Sequence, residues 1–458
     1  MREDAGTRTT MNERVKMLLL TVALFLLLLS VAVVTMVYAG ETLTLEQAIE
    51  TALQHNAGLK AADAQLEEAQ AGVLKSNSGF LPKVTLSETW SKSDNPLMVF
   101  GTKLNQESVS PADFNPAVIN NPDPASNYNT RLAVMQPVYN GGKAYLGVHQ
   151  AKLAREAAAQ DRIRTRQETV VSVIKAYYGV QLAGEYRKVA VQSLATSVEN
   201  VKLAEARYQA GAVLQSDLLR AKVQEAEVRE MVTRSENGVK LAMANLSFAM
   251  GVPDRTDYDI EGSLSPKDFG EDLDAMADEA LALRPDLVSL DLNRKNAEAG
   301  VSHARTDFIP SLNLMGQVDW NSTRFAGDDA KSWAVMAVLQ WNLFDGLVTT
   351  SNVRQASAYA GRVRALEEQM RAAVQLQVKQ AFYNLQASRD RIDASASSVQ
   401  EAEEGLRIVQ KRYEVGMTTF VDVLGAESAL IRARTNALQA LYDNNVAEAD
   451  LRLAAGTL

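Results

Sequence analysis

Hydrophobic positions recur every seven residues over two long stretches of this chain and every second residue over four short ones. The row Val378, Leu385, Ile392, Val399, Leu406 and Tyr413 is unbroken. At an offset of 205, Val173, Val180, Leu194, Val201 and Tyr208 repeat it, with one break at Arg187. A parallel row, Ile163, Val170, Tyr177, Val191 and Val198, is interrupted at Gly184. Sustained heptads predict helices packed along a seam. None of the 11 prolines falls within residues 138–252 or 311–458, and Ala, Gln, Glu, Lys and Arg dominate there. Uninterrupted helices are therefore expected. From Lys143 to Arg207 a single helix would measure roughly 100 Å at 1.5 Å per residue. Each rod ends at Tyr-x-x-Gly, Tyr208 with Gly211 and Tyr413 with Gly416. Glycine there permits the left-handed residue that stops a helix. Restarts near Asp217 and Asp422 then predict two long antiparallel helical hairpins, over about 143–250 and 348–455.

The period of two marks strands at about 82–91, 128–138, 311–321 and 332–343. Leu312, Leu314, Gly316, Val318 and Trp320 alternate with Asn313, Met315, Gln317, Asp319 and Asn321; Trp333, Val335, Ala337, Leu339, Trp341 and Leu343 form another apolar row. Val84, Leu86 and Trp90 alternate with Lys83, Thr85, Ser87 and Thr89, and Leu132, Val134 and Val138 alternate more weakly. Runs near ten residues with one apolar side fit transmembrane barrel strands. An antiparallel sheet on a soluble core would show the same alternation. All 4 tryptophans, Trp90, Trp320, Trp333 and Trp341, lie in these runs, as membrane-interface belts favour.

The chain is internally duplicated. "FLPKVTLS" from Phe80 matches "FIPSLNLM" from Phe308, and "YQAGAVLQSDLL" from Tyr208 matches "YEVGMTTFVDVL" from Tyr413. The offset shortens between the strands of the second copy, so a free loop lies there. The first copy (40–251) keeps it as residues 91–127, rich in Asn, Pro and Ser, which read as an irregular surface loop. Residues 252–274, with eight carboxylates against Arg255 and Lys267, read as a solvated connector to the second copy (275–458), with room for a short strand or helix.

Residues 1–39 read as a secretory signal: basic Arg14 and Lys16, an apolar stretch from Met17 to Met36, then Val37-Tyr38-Ala39 as a cleavage site, with Met1 or Met11 as the start. An uncleaved anchor is the alternative. With no cysteine, neither lipid attachment at a new N-terminus nor a disulfide is expected. The formal charge of −9 argues against nucleic acid as a partner.

Four strands cannot close a barrel, and an open sheet edge cannot face lipid; the smallest membrane barrels have about eight strands. If these strands lie in a membrane, other copies must complete the wall. The residues resemble the TolC family of outer-membrane channel proteins. The resemblance covers Leu43 to Leu458 and rests on "LTLEQAIETALQHN", "FLPKV" and "FIPSL", "QPVYNGG" and "WNLFDG", "RYQAG" and "RYEVG", and the closing "LAAGTL". It implies an α+β, mostly α protomer, each repeat adding two membrane strands and a helical hairpin. It further implies a homotrimer with a 12-stranded β-barrel in the outer membrane, continued by a periplasmic α-helical barrel. The implied partners are outer-membrane lipid, a periplasmic adaptor protein and an inner-membrane transporter of the RND, ABC or MFS type. The expected function is a passive exit duct for efflux or type I secretion; a periplasmic coiled-coil scaffold is the other reading.

No enzyme chemistry is expected. The 3 histidines, His55, His149 and His303, lack metal spacing, no nucleophile elbow or phosphate loop appears, and no cofactor is expected. In a threefold assembly, Asp422 carboxylates could converge as a pore constriction; the resemblance supports an acid there. Where the family often carries a second acid one turn later, this chain has Gly425, so one ring is expected. Asp217 and Asp422 also suit helix N-termini without further role. A Tyr413–Asp217 hydrogen bond is a candidate entrance latch, weakened because Thr418 stands where the family tends to place a basic residue. Tyr208 suits seam packing. Gly211, Ala212, Val213, Leu214, Gly416, Met417 and Thr418 are candidates for adaptor docking.

Overall fold

The computed structural model describes residues 42–253, 255–267, 270 and 272–458; the signal reading at 1–39 lies outside them. Thr42–Leu43 is strand β1, followed by helices α1 (Leu45–His55) and α2 (Ala57–Asn77). Strand β2 is Lys83–Ser93 and β3 is Ala125–Tyr139, with two short helices between them, α3 (Pro96–Asn105) and α4 (Pro116–Asn120). Helices α5 (Lys143–Gln209) and α6 (Gln215–Met250) complete the first copy. Then come β4 (Asp259–Ile260), α7 (Leu273–Leu283), α8 (Pro285–Arg305), β5 (Ser311–Ser322), β6 (Ala330–Gln340), α9 (Val348–Glu414) and α10 (Phe420–Ala455). The copies match in length: α5 and α9 have 67 residues each, α6 and α10 have 36 each. Equal lengths follow from the fixed offset of the Tyr-x-x-Gly turns.

Two compact units cut across this duplication, each drawing on both copies. One takes the chain up to Lys60, Thr165–Ala280 and Leu376–Leu458. Its main core joins Leu43, Ala48 and Ala52 to Val173, Tyr177, Val180, Leu246 and Met250; a fully buried Leu or Met contributes about 2 kcal/mol. Helix α1 starts in a capping box in which Thr44 and Gln47 exchange hydrogen bonds. At the far end of α6, Gly251 adopts φ 77°, and a Cβ there would meet the His55 carbonyl at 2.7 Å, so only glycine ends this helix without displacing its neighbour.

The acidic connector is more than a solvated link. β4 pairs in parallel with β1, and the Tyr177 hydroxyl lies 3.0 Å from the Leu43 carbonyl and 2.8 Å from that of Glu261. Asn444, fully buried, accepts from the Lys267 amide at 2.8 Å, and Asn445 donates to the Ser265 carbonyl at 2.9 Å. Buried side chains of the helices thus satisfy the connector's backbone, as burial requires. Burial, with Glu261 nearby, pushes the Tyr177 hydroxyl up to about 12, so it stays a neutral donor.

The other unit, Ala61–Arg164 with Leu281–Gln375, carries the sheet, ordered β2-β3-β5-β6 and antiparallel throughout. Its helices pack at Ala297, Ala360 and Val363, beside an ion network in which Arg294 contacts Asp291, Glu298 and Glu367. The segment 91–127 is not an irregular loop. Asn95 accepts from the Leu97 and Met98 amides and Asn115 from the Ala117 amide, each just before a proline at the first helical position. Asn-Pro, read as loop punctuation, here starts helices.

Candidate functional site: sheet faces and hairpin tips

Register sorts the sheet into two faces. Val84 pairs with Val134, Leu86 with Leu132 and Trp90 with Tyr128. Leu132 pairs with Val318, which pairs with Trp333, and Gly316 faces Val335. Opposite partners share a face, so one face is apolar across all four strands. It is uncovered: Leu86 is 72% exposed, Val335 71% and Trp333 75%. The reverse face is polar and bonded within itself. Arg131 and Asn129 reach Asp319 at 2.7 and 3.1 Å, and Asn127 donates to Asn321 at 2.8 Å. A soluble sheet would bury the apolar face and wet the polar one; this sheet does the opposite. Trp90, Tyr128, Trp320 and Trp333 cluster towards the ends of the strands that the loops join, with Lys331 5.8 Å from the Trp320 ring. Exposed Phe80, Tyr139, Phe308 and Trp341 lie towards the helix ends, the Trp341 indole donating to the Phe308 carbonyl at 3.1 Å. An apolar band between aromatic rows is the lipid-facing pattern of membrane barrels. No described helix is long and apolar enough to cross a membrane.

The tips lie in the unit that holds the helix turns. Gly211 (φ 70°) and Gly416 (φ 75°) end α5 and α9 alike. The Ala212 amide donates to the Arg207 carbonyl and the Met417 amide to that of Arg412, both at 2.8 Å. The restarts differ. Thr419 caps α10 in a capping box with Asp422. The Asp422 Oδ2 accepts from the Thr418 hydroxyl at 2.5 Å, the Thr419 hydroxyl at 2.7 Å and the Thr419 amide at 3.0 Å. Donors from Thr418 and Thr419 hold this exposed carboxyl below the usual carboxylate range. At the first tip Leu214 stands in the cap position without a side-chain bond, and Asp217 occupies the first turn of α6. Asp217 and Asp422 thus both stand in the first turn of a helix, where a carboxylate faces the positive dipole end, and the Asp422 carboxylate also takes part in a cap. Leu214 is 72% exposed and Met417 79%; Gly211, Ala212 and Gly416 are exposed as well, with Val213 and Thr418 half-buried.

The Tyr413–Asp217 bond does not form. The Tyr413 hydroxyl is buried without a hydrogen-bond partner, and its ring lies 5.5 Å from Phe420 in a cluster with Ala204, Leu218, Ala221 and Val423. The apolar surroundings that bury the ring keep the hydroxyl from Asp217. Arg207, which the sequence reading passed over, links the hairpins instead. Its guanidinium covers the Tyr413 ring at 4.7 Å and donates to the carbonyls of Tyr413 at 2.9 Å and Glu414 at 3.0 Å. A cation on the last carbonyls of α9 meets the negative end of that helix. The signal was the Arg preceding each tip tyrosine, in "RYQAG" and "RYEVG". A second missed residue is Glu427, 7% exposed, whose carboxylate accepts from Asn200 of α5 at 2.5 Å. Burial pushes this carboxyl up; one acid in a charged helix carries no sequence signal of burial.

Long paired hairpins and a four-stranded sheet with a bare apolar face define an outer-membrane channel protomer. The profile of the outer membrane efflux protein family matches residues 48–252 and 276–457, and the chain belongs to that family. It is 25% identical to the outer membrane protein TolC of Vibrio cholerae over 94% of this chain and 95% of that one. Against protein CyaE of Bordetella pertussis the identity is 24%, over 86% and 80%. The alkaline protease secretion protein AprF of Pseudomonas aeruginosa is 28% identical over 72% and 70%. Among solved structures, the CmeC outer membrane channel of Campylobacter jejuni superposes with a TM-score of 0.78 at 18% identity, over 90% of this chain and 85% of that one. VceC of Vibrio cholerae gives 0.75 at 21%, over 90% and 96%. The protein is thus an outer-membrane efflux protein, with the fold of those channels.

Proposed function

We propose that three copies of this chain close a 12-stranded barrel in the outer membrane and form a passive exit duct for efflux or type I secretion. The observation that carries the reading is the exposed apolar face, together with edge strands β2 and β6 that each pair on one side only. In lipid those edges must be paired; β6 of one copy against β2 of the next does so, and twelve strands leave an interior wide enough for passage. The polar face then lines the pore, Trp90, Trp320, Trp333 and Trp341 sit at the interfaces, and the hairpins extend into the periplasm as a helical barrel. The tips around Gly211, Ala212, Val213, Leu214, Gly416, Met417 and Thr418 meet a periplasmic adaptor. An inner-membrane transporter of the RND, ABC or MFS type supplies the energy, since the duct carries out no bond chemistry.

Asp422 supplies the entrance constriction, a ring of three carboxylates that the bonds from Thr418 and Thr419 keep ionised. Planar-bilayer recording of the purified protein tests this. The wild type should conduct with cation preference and block by multivalent cations, and Asp422→Ala should weaken both. An unchanged response removes Asp422 from the pore; a monomer that needs no detergent removes the duct.

A further inference from the structure

The β2–β3 connection is built and anchored as no free loop needs to be. Val99 of α3 is 2% exposed, and Phe100 meets Phe114 edge-on at 5.7 Å. Asp113, buried, accepts from Lys103 at 2.6 Å and from the Ser110 amide at 2.7 Å. This small body is tied down by Gln106, whose side-chain amide donates to the Ser126 carbonyl and to Asn127 Oδ1, both at 2.9 Å. Asn127 belongs to the polar face, through its bond to Asn321. Helix α3 packs on β3 and also reaches β6. Because β5 lies between those strands, a segment that touches both spans the sheet beside β5. The bond to Asn127 says which face it crosses. Burial along that face agrees: Asn127 and Asn321, at its loop end, are 8% and 4% exposed, while Met336, nearer the helices, is 41% exposed. The shorter β5–β6 turn has no comparable body.

We propose that residues 96–120 form a lid folded into the outer mouth of the channel, a second constriction besides that of Asp422. The proposal rests on the barrel reading above, which makes the polar face the pore wall. One copy of α3 from each chain then hangs inside the mouth. Leu97, 82% exposed, with Met98 and Leu104, 56% and 53% exposed, narrows it with apolar side chains that shed water. The lid sets the size of solute that passes the mouth, and Gln106 is its hinge-side fastening.

The chain has no cysteine, so a single Ala133→Cys on the polar face of β3, on the helix side of Asn127, reports access from outside. In intact cells a small charged methanethiosulfonate should label it readily, and a maleimide on a long polyethylene glycol chain only slowly. Adding Gln106→Ala, which removes both fastening bonds, should speed the polymer reagent about tenfold. Replacing residues 96–120 by a short Gly-Ser turn should speed it further. The small reagent's rate, unchanged in each variant, shows that the barrel is intact. Equal polymer labelling with and without both changes overturns the lid. Labelling of Leu132→Cys but not Ala133→Cys by the small charged reagent overturns the assignment of faces, a distinct failure.

Discussion

The two hairpin turns share a backbone and differ in how they are fastened. Both stop a 67-residue helix with a left-handed glycine and the same pair of amide–carbonyl bonds. Past the glycine, the second tip restarts in a hydroxyl–carboxylate capping box, and the first restarts on Leu214 with no side-chain cap. Before the glycine the asymmetry runs the other way. Arg207 reaches across to the second hairpin, while its counterpart Arg412 is exposed. Duplication thus preserved what the turn needs and let the fastenings diverge: the second tip secures itself, and the first secures its neighbour.

The largest test removes the crossing cation. Arg207→Ala should lower the local stability of the tips by about 2 kcal/mol, the worth of charged hydrogen bonds at a half-buried site. Arg412→Ala should change it by less than about 0.5 kcal/mol. Hydrogen exchange of the amides around Gly416 reads both, and equal effects would erase the comparison. Next comes the cap. Thr419→Ala should cost about 1 kcal/mol at the start of α10, and Leu214→Thr should add a comparable amount to α6, again read by exchange. A null result for Leu214→Thr would mean the first restart is held by packing alone. The smallest effect is on pH. Asp422 has a folded pKa depressed below its ordinary 3.8 by Thr418 and Thr419. Its stabilisation is therefore complete at neutral pH and lost as pH falls below the ordinary carboxylate value and through the folded one. Exchange at the second tip should accelerate over that window, and Asp422→Asn should remove the acceleration.

Much of this was legible before any coordinates. The four long helices, the turns at Gly211 and Gly416 and the four sheet strands each follow from a local period or a local breaker. The Asn-Pro pairs at 95–96 and 115–116 misled because the same dipeptide serves loops and helix starts, and only the residues after it decide. Tyr177 and Phe382 occupy matching positions and make the same edge-on contact with the following tyrosine, at 6.1 and 5.9 Å. Only Tyr177 carries the hydroxyl that binds the connector, a difference visible in the sequence whose use was not.

By itself, the sequence settled where the four long helices and the four sheet strands run, how the copies correspond, and which side of each of those strands is apolar, because these depend on neighbours a few residues apart. Tertiary structure alone decided that Arg207 and not Asp217 joins the hairpins, that Asn444 and Tyr177 hold the connector, and that Gln106 fastens a folded insertion over the polar face. Each of those contacts brings together groups remote in the chain or on separate elements, and hydrogen bonding is short-ranged and directional. No periodicity records which remote groups will come within its reach.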